Sequence, residues 1–540
     1  MQSTKSTKAK ITNTTREAKM SSTTNLSTKE LKGKYHSAIE KGLSNKQLQE
    51  NLLRAMDTLR GNRKKLVTTR FIDWESLRAK GKEIKQKNLR KLDKNLLEFE
   101  KNATKNGMKV HWARDAKEAN ELIYGIMKDK GALKVLKGKS MASEEIGFNH
   151  FVESKGLEAF ETDLGEVILQ LLGEPPVHIV VPAIHKNRYE VGELFHAKLN
   201  APLENEIEKL NAIARNYMRK EFQTFTMGMS GVNFAIANEG AIWLIENEGN
   251  GRMSTTAPDV HIAICGIEKV VESFEDAAIL DSMLAPSAVG SVITCYNNII
   301  TSPRKEGEKD GPKEVHIVLL DNNRSNMLKD SHYYRSMSCI RCGSCLNHCP
   351  VYDKIGGHAY LSTYPGPIGE VITPQIYGLN SCSPMLDLCS LCGRCSEVCP
   401  VEIPLAELIR DLRSERVGQG RKIVKANGEY GASGVASSGA SGASGGAGVA
   451  SGISSGANAL DSELHTQNPI EQSAMRGFAN LATSPAKWRF VMSLTHLAPL
   501  AKPFASFVPL LSKWVKYRAF PKVSGGLHQK VKQMQGVIYE

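Results

Sequence analysis

Apolar residues recur at helical spacing over residues 61–105, where they are separated by many lysines and arginines. Such a stripe predicts amphipathic helices with the lysines on the solvated face, and we assign residues 35–107 to a basic helical region. The apolar positions of the stripe are Leu77, Ile84, Leu92, Leu96 and Phe99. Binding to nucleic acid, or docking on an acidic partner or a membrane surface, is the alternative interpretation. The apolar periodicity favours the helical interpretation, and no nucleic-acid partner is expected.

Between residues 108 and 325 the pattern changes to short β-branched runs separated by helical stretches. The pattern of residues 115–131 predicts a helix, and three β-branched runs have the pattern of buried strands. These runs are 178–184, 261–267 and 314–322. Such alternation is typical of an α/β fold with a largely parallel sheet. Residues 233–251 instead predict two strands joined at Glu239 and Gly240.

The pattern changes again towards the C-terminus. Gly, Ser and Ala dominate residues 427–458, which predicts a flexible linker over 421–458 and a separate helical module over 459–540. The apolar segment 490–520 is interrupted by Lys502 and three prolines. This favours short docking helices over a membrane-spanning helix, which needs about 20 consecutive apolar residues. Peripheral contact with a membrane stays open.

Length and composition are those of a folded protein with several domains, since the chain has 540 residues and is 41% hydrophobic. Its net charge is +13. The first residues include no apolar core of a secretory signal, so a cytoplasmic location with reduced thiols is expected. Residues 1–34 are a predicted disordered tail, and Met20 is an alternative start.

The cysteines carry the clearest chemical signal, because nine of the 11 lie between residues 339 and 399. They form two copies of the pattern Cys-x2-Cys-x2-Cys-x3-Cys-Pro, which predicts two 4Fe-4S clusters. In two-cluster ferredoxins the fourth cysteine of each run binds the other cluster. The predicted ligands are therefore Cys339, Cys342, Cys345 and Cys399 for cluster 1, and Cys389, Cys392, Cys395 and Cys349 for cluster 2.

Zinc is the competing interpretation, but it would leave the third and fourth cysteines of each run unexplained. Gly343 and Gly393 follow the second cysteine of each run, where they allow backbone amides to approach the sulfurs or simply form a tight turn. Cys382 is interpreted as a buried structural thiol, with a spare ligand as the alternative. The long spacer between the runs favours a mainly helical two-cluster domain over residues 326–420.

The α/β region contains no familiar catalytic signature. Residues 228–232 and 249–254 each lack a glycine that a nucleophile elbow or a dinucleotide loop requires. Candidate groups for binding a carboxylate or phosphate are Lys186, Arg252 and Arg324, because loops at strand ends of α/β sheets often bind such ligands. The alternative is that these are turn residues and surface salt bridges. The catalytic residues stay unassigned.

Several segments, taken in order, match a known family. They are "KSMASEEI", "ETDLGEVI", "HIVVPAIHKNR", "NFAIANEGAI", "GPKEVHIVLLDNNRSN", "CIRCGSCLNHCPVY", "GGHAY", "YPGPIGEVITP" and "CPVEIPLAELI". Together they resemble the iron-sulfur B subunit of the bacterial lactate-utilisation complex, the LutB/YkgF-type family. The resemblance covers about residues 35–420 and resumes near 470–520.

The resemblance implies an LUD-type domain over residues 108–325, similar in fold to the sugar-phosphate isomerase and CoA-transferase group. It also implies a helical ferredoxin domain like those of respiratory complexes. The implied function is oxidation of L-lactate to pyruvate with two other lactate-utilisation subunits, one rich in cysteine motifs and one a second LUD protein. The long N-terminal tail and the Gly/Ser/Ala linker depart from the family pattern.

The favoured hypothesis is an electron-transfer subunit that passes electrons one at a time through two clusters towards a carrier such as quinone. No flavin motif is present, so a partner should supply the two-electron centre. A second hypothesis makes this chain the catalyst, with Arg252 or Arg324 binding the lactate carboxylate. A third makes the clusters a redox or iron sensor whose basic N-terminal region contacts nucleic acid.

Overall fold

The computed structural model of the chain describes residues 28–417, 422–424, 430–432, 469–484, 486–488 and 490. Met20, most of the predicted tail, most of the predicted linker and the apolar segment beyond residue 490 lie outside the described residues. The first described helix begins at Thr28, inside the segment predicted to be a tail.

Four helices form the basic N-terminal region. Asn45 and Asp73 accept backbone hydrogen bonds that cap the second and third of them. The predicted apolar stripe faces inward, since Ile84 and Phe99 are buried and Leu77 packs against the core. The amphipathic prediction is therefore confirmed. The helices are α1 (Thr28–Ser44), α2 (Lys46–Arg70), α3 (Trp74–Arg90) and α4 (Leu92–Lys105).

The α/β region contains a six-stranded parallel sheet in the order β1-β10-β7-β4-β2-β3, a second sheet in the order β8-β5-β6-β9, and a separate two-stranded pair, β11-β12. The strands are β1 (Lys109–Ala113), β2 (Lys134–Lys137), β3 (Glu158–Glu161), β4 (Met227–Gly231), β5 (Phe234–Ile236), β6 (Ala241–Glu246), β7 (Val260–Gly266), β8 (Val270–Val271), β9 (Tyr296–Ile300), β10 (Glu314–Leu320), β11 (Lys422–Val424) and β12 (Tyr430–Ala432).

The prediction of a parallel α/β sheet is confirmed, and β7 and β10 are the strands predicted over 261–267 and 314–322. Both are mostly apolar because each lies inside the sheet and is covered on two faces, although β7 includes His261 and β10 includes Glu314 and His316. Along β7, Ile262 and Ile264 pack into one core while Ala263 and Cys265 pack into another. The hairpin predicted over 233–251 is also confirmed, as β5 and β6 pair antiparallel.

The prediction of a strand over residues 178–184 is wrong, because this segment is a loop. The side chain of His178, the first residue of this loop, replaces the hydrogen bonds that a neighbouring strand would make. Nδ1 of His178 accepts from the backbone amides of Val180 and Val181, each at 3.1 Å. The amide of Val177 donates to the carbonyl of Pro182 at 3.1 Å, which closes the loop on itself.

Helices connect and cover the strands of the two sheets. The helix predicted over 115–131 is confirmed as the first of them. They are α5 (Ala116–Asp129), α6 (Met141–Glu145), α7 (Phe148–Ser154), α8 (Leu164–Leu172), α9 (Arg188–Leu199), α10 (Ile207–Phe222), α11 (Asn250–Thr256), α12 (Phe274–Ala288) and α13 (Arg324–Lys329). A 3-10 turn spans Ile267–Lys269.

The cysteine-rich region is helical, with three further 3-10 turns at Tyr333–Ser338, Gly357–Tyr360 and Ser383–Leu388. Its core is continuous with that of α2, α3 and the second sheet. Its helices are α14 (Ser344–Asn347), α15 (Tyr352–Ile355), α16 (Gly366–Tyr377), α17 (Leu379–Cys382), α18 (Arg394–Glu397) and α19 (Leu405–Arg416).

Helix α20 (Pro469–Ala482) belongs to a second compact unit and lies within the predicted C-terminal module. Among the helices of the described residues, none combines the length and the apolar character needed to cross a membrane. Most of the predicted docking segment 490–520 lies outside the described residues.

Candidate metal centres

The two cysteine runs repeat one local backbone conformation. Gly343 and Gly393 have φ of +74° and +80°, and each precedes a four-residue helix that carries the third cysteine of its run. Arg341 and Leu391, one residue before the second cysteine, also have positive φ, at +62° and +55°. The predicted tight turn is therefore present in both runs.

Backbone amides are directed at sulfur atoms in both runs, within the loop that follows the first cysteine and within the turn that follows the fourth. Such hydrogen bonds stabilise the negative charge that a thiolate ligand carries. Each run has two such hydrogen bonds of 3.5 Å or less, and the amide of Ser344 also approaches Cys342 in the first run. The contacts are Arg341 N to Cys339 Sγ (3.4 Å), Tyr352 N to Cys349 Sγ (3.5 Å), Leu391 N to Cys389 Sγ (3.3 Å) and Ile403 N to Cys399 Sγ (3.3 Å).

The fourth cysteine of each run lies near the other run. Burial raises the pKa of Cys399 to about 11, and the charge of Cys339 adds to this shift. Burial likewise raises the pKa of Cys395 to about 12, with Cys389 and Cys349 adding to it. One small cavity is lined by all four cysteines assigned to cluster 1, namely Cys339, Cys342, Cys345 and Cys399.

These surroundings fit 4Fe-4S clusters. Burial disfavours the thiolate form of a free cysteine, but metal coordination deprotonates a thiol and satisfies its sulfur. Several converging sulfurs with amides directed at them are the donors that a cubane cluster needs. Cys382 is buried in α17 with Sγ 4.0 Å from the carbonyl of Thr373, in agreement with a structural thiol. The assignment of individual ligands remains a prediction.

The two cysteine sets differ in their exposure. In the set assigned to cluster 1, Cys342, Cys345 and Cys399 are buried. In the set assigned to cluster 2, Cys392 is exposed and the neighbouring Leu391 is 41% exposed. The loop of the second run therefore reaches the protein surface, whereas the first run lies against the α/β region.

A buried ionic network occupies the carboxyl edge of the parallel sheet, beside the first cysteine run. Arg324, at the start of α13, donates from Nη1 and Nη2 to the two carboxylate oxygens of Glu145, each at 2.8 Å. Its Nε donates to Glu268 at 2.6 Å. Arg341 of the cysteine loop donates to the other oxygen of Glu268 at 3.3 Å. Tyr364 donates its hydroxyl to Glu145 at 2.6 Å, and the guanidinium of Arg341 lies 4.7 Å from its ring centre.

Mutual pairing keeps the acids of this network ionised despite their burial. Burial alone would raise the pKa of Glu268, but Arg324 and Arg341 lower it to about 2. Arg324 likewise lowers the pKa of Glu145. Burial opposes the charge of Arg341, but Cys339, Tyr364 and Glu268 raise its pKa above the ordinary value. The network thus joins the sheet to the loop between Cys339 and Cys342.

The three residues predicted to bind a carboxylate or phosphate have different surroundings. Arg324 is 2% exposed and bound to two carboxylates of the protein itself, so an external ligand would have to displace one of them. Lys186 pairs with Glu174 at 3.1 Å. Arg252 is exposed on α11. The three side chains have no ion-pair partner in common among the described residues.

Sequence reasoning missed a second buried ionic cluster at the ends of β2 and β3. Lys137 is 1% exposed, and its ammonium lies 2.8 Å from Glu161 and 2.9 Å from Glu144. It also missed the pairing of Arg341 with Glu268. The available signal for that pairing was the Arg341 position itself, because the second run carries Leu391 there.

Three protein-family profiles match the chain. The LUD domain matches residues 96–320, the 4Fe-4S dicluster domain matches 335–403, and "Lactate utilisation protein B, C-terminal" matches 453–537. The dicluster match confirms the predicted cofactors, two 4Fe-4S clusters within residues 335–403.

Several curated proteins are similar over most of the chain. "Uncharacterized electron transport protein YkgF" of Escherichia coli (strain K12) is 42% identical over 68% of this chain and 77% of its own length. "Lactate utilization protein B" of Anoxybacillus flavithermus is 42% identical over 70% of this chain and 80% of its own length. The protein of that name from Geobacillus sp. (strain WCH70) is 41% identical over 71% and 82%. A solved structure of a duf162 family protein from Deinococcus radiodurans superposes on 42% of this chain and 98% of its own, with TM-score 0.25 and 13% identity.

Proposed function

The chain belongs to the lactate utilisation protein B family and is an iron-sulfur protein of lactate utilisation, and on that premise we propose that it is an electron-transfer subunit of an assembly oxidising L-lactate to pyruvate. The observation that carries the proposal is the arrangement of the two cysteine sets. One set lies beside the sheet edge, and the other reaches the surface at Cys392. Such a pair can carry electrons between the interior and an external partner.

The proposed ligands are the crossed sets, with Cys399 completing cluster 1 and Cys349 completing cluster 2. Support comes from the electrostatic proximity of Cys399 to Cys339 and of Cys349 to Cys389. When bound, a 4Fe-4S cluster accepts and releases one electron at a time. The backbone amides directed at the first and fourth cysteines of each run would stabilise the negative charge of the thiolates that hold a cluster.

The reaction needs more than this chain supplies. Oxidation of lactate to pyruvate releases two electrons and two protons, so a two-electron centre must precede one-electron carriers. We assign that centre to one of two partner subunits, a cysteine-motif-rich protein or a second LUD protein, with a carrier such as quinone as the final acceptor. A reducing compartment suits the free cysteines, and we place the assembly in the cytoplasm, with peripheral contact to the inner face of the membrane where quinone is the acceptor.

The competing function is substrate binding by this chain, with the clusters as its internal acceptor. One observation favours keeping it as a second candidate. The side chain of Arg252 is exposed, whereas Arg324 and Lys186 already pair with carboxylates of the protein. Arg252 is therefore the residue that could bind the carboxylate of a 2-hydroxy acid.

The test is anaerobic purification of the full chain, followed by iron and sulfide analysis and EPR spectroscopy. We expect about eight irons per chain, since two cubane clusters hold four each. Dithionite should reduce the clusters, and L-lactate should do so only after the partner subunits are added. Reduction by L-lactate alone would move catalysis into this chain, and Arg252→Ala should then abolish it. Bound zinc with fewer than about four irons would overturn the cluster assignment.

A further inference from the structure

The two cysteine loops differ at one central position although their backbones match. Between the first and second cysteines, the first run reads Ile340-Arg341 and the second reads Ser390-Leu391. Arg341 and Leu391 share positive φ and donate their amides to equivalent sulfurs at 3.4 and 3.3 Å. The side chains therefore differ in charge on the same local scaffold.

Cations surround the first set of cysteines on several elements. Arg341 comes from the loop itself, and the others come from α2, α3 and the turn after β7. Nζ of Lys85 donates to the backbone carbonyl of Glu268 at 2.7 Å. The carboxylate of Glu268, which pairs with Arg341, is an anion beside these cations. Three cations lie within electrostatic range of Cys339, namely Arg341, Lys85 and Lys269. Arg63 lies within electrostatic range of Cys342. Nε of Arg78 donates to the carbonyl of Cys399 at 3.0 Å.

The second set has a different electrostatic environment. Glu370 of α16 is fully buried and lies within electrostatic range of Cys349 and Cys389. Neither of its carboxylate oxygens has a hydrogen-bond partner among the described residues, and burial raises its pKa well above the ordinary value, so it supplies neither a cation nor a fixed negative charge to this set. Arg413 is a cation beside this set, because its guanidinium donates a hydrogen bond to the carbonyl of Cys389 at 2.5 Å. Arg394 is exposed and pairs with a neighbouring glutamate, so solvent screens its charge.

We infer that Arg341, with the surrounding lysines and arginines, makes cluster 1 the stronger electron acceptor of the two, so that an electron entering at cluster 2 settles on cluster 1. This inference rests on the proposed ligand assignment and electron-transfer function. Reduction adds one negative charge to a cluster, and nearby buried cations stabilise that charge. The excess of cations lies at cluster 1.

Solvent exposure acts in the opposite direction, because water at the Cys392 loop also stabilises a reduced cluster 2. Charge is the larger difference for two reasons. The cations at cluster 1 lie on buried or partly buried side chains, where salt and water screen them little. The amide-to-sulfur hydrogen bonds act in the same direction as the cations, because the amide of Ser344 approaches Cys342 in addition to two such bonds at each cysteine set.

This order of potentials gives the pair a direction. The exposed Leu391–Cys392 loop is where an external donor can approach, and cluster 1 lies beside the ionic network of Arg324, Glu145 and Glu268. An electron accepted at the surface therefore comes to rest next to the carboxyl edge of the sheet. In α/β sheets that edge is where ligands usually bind.

The second run supplies the matched variant for the test. Arg341→Leu copies Leu391 and removes one charge, Leu391→Arg is the reciprocal change, and Arg341→Lys keeps the charge. The full chain of each variant is titrated anaerobically with dithionite against redox mediators, and the two cluster signals are followed by EPR. Iron content is measured first in every variant.

In the wild type two signals should reduce at separate potentials. Arg341→Leu should make the reduction of the higher-potential cluster at least tenfold less favourable, a shift of about 59 mV for one electron, with the other signal unmoved. Arg341→Lys should keep most of the wild-type potential. Leu391→Arg should raise the lower potential, but by less than Arg341→Leu lowers the higher one, because solvent screens a charge at this exposed position.

The inference is overturned if Arg341→Leu shifts the lower-potential signal, or if Leu391→Arg shifts the higher one. If Arg341→Leu does not retain iron, Leu391→Arg decides alone, because Leu391 is exposed and its replacement leaves the core unchanged. Failure of the proposed function has a different signature, namely a wild-type chain without reducible clusters.

Discussion

At the residue scale, Gly343 and Gly393 share one backbone conformation, but a side chain at the two positions would destabilise the protein to different extents. Both have φ near +75° to +80°, where a side chain is strained. A Cβ atom at Gly343 would lie 3.0 Å from Cε1 of His178, whereas a Cβ at Gly393 would meet no atom within 4 Å. The first glycine is required by conformation and by packing, and the second by conformation only.

We therefore expect Gly393→Ala to cost about 1–2 kcal/mol of unfolding free energy, the usual penalty for alanine in a left-handed conformation. Gly343→Ala should cost more, because His178 is fixed by hydrogen bonds to Val180, Val181 and Asn347 and cannot move aside freely. Anaerobic thermal unfolding and iron content of the two variants provide the comparison. Equal melting temperatures would show that packing against His178 contributes nothing.

At the element scale, largely apolar runs identified β7 and β10 correctly but failed at residues 178–184. The three runs look alike in sequence. In residues 178–184, however, the ring of His178 accepts hydrogen bonds from the amides of Val180 and Val181, and these replace the hydrogen bonds to a neighbouring strand. Local periodicity cannot reveal such a substitution. Nor can it reveal the bond between Arg324 and Glu145, which are 179 positions apart. The presence of two 4Fe-4S clusters was predictable because the repeated cysteine spacing is itself the signature of such a domain.

His178→Ala should loosen the whole loop, because it leaves two backbone amides and the side chain of Asn347 without these partners. Each lost hydrogen bond at a part-buried group costs about 1–3 kcal/mol. Hydrogen-deuterium exchange should show faster exchange in peptides covering 178–184, with β7 unchanged. His150→Ala is the matched control, since His150 is exposed on α7. Unchanged exchange in the loop would mean that other contacts fix it.

At the scale of residues 28–416, the apolar contacts of the cluster region do not stop at its sequence boundaries. One core includes cysteines of both runs together with Leu52 of α2, Trp74 of α3 and Trp243 of β6. The other main core of the sheet, which includes Ile262 and Val318, contains no cysteine of either run. The clusters should therefore support the N-terminal helices but not the centre of the parallel sheet.

This division predicts how the protein responds to cluster removal by an iron chelator with an oxidant. Metal binding stabilises the folded state that holds the metal, so its loss should destabilise every element sharing that core. Hydrogen-deuterium exchange should accelerate in α2 and α3 as well as in residues 335–403, while peptides covering β7 and β10 stay protected. Acceleration confined to 335–403 would show that the helices are stable without the clusters. Equal acceleration in β7 would show that the two cores unfold together, because the same loss of metal would then reach a core that includes no cluster cysteine.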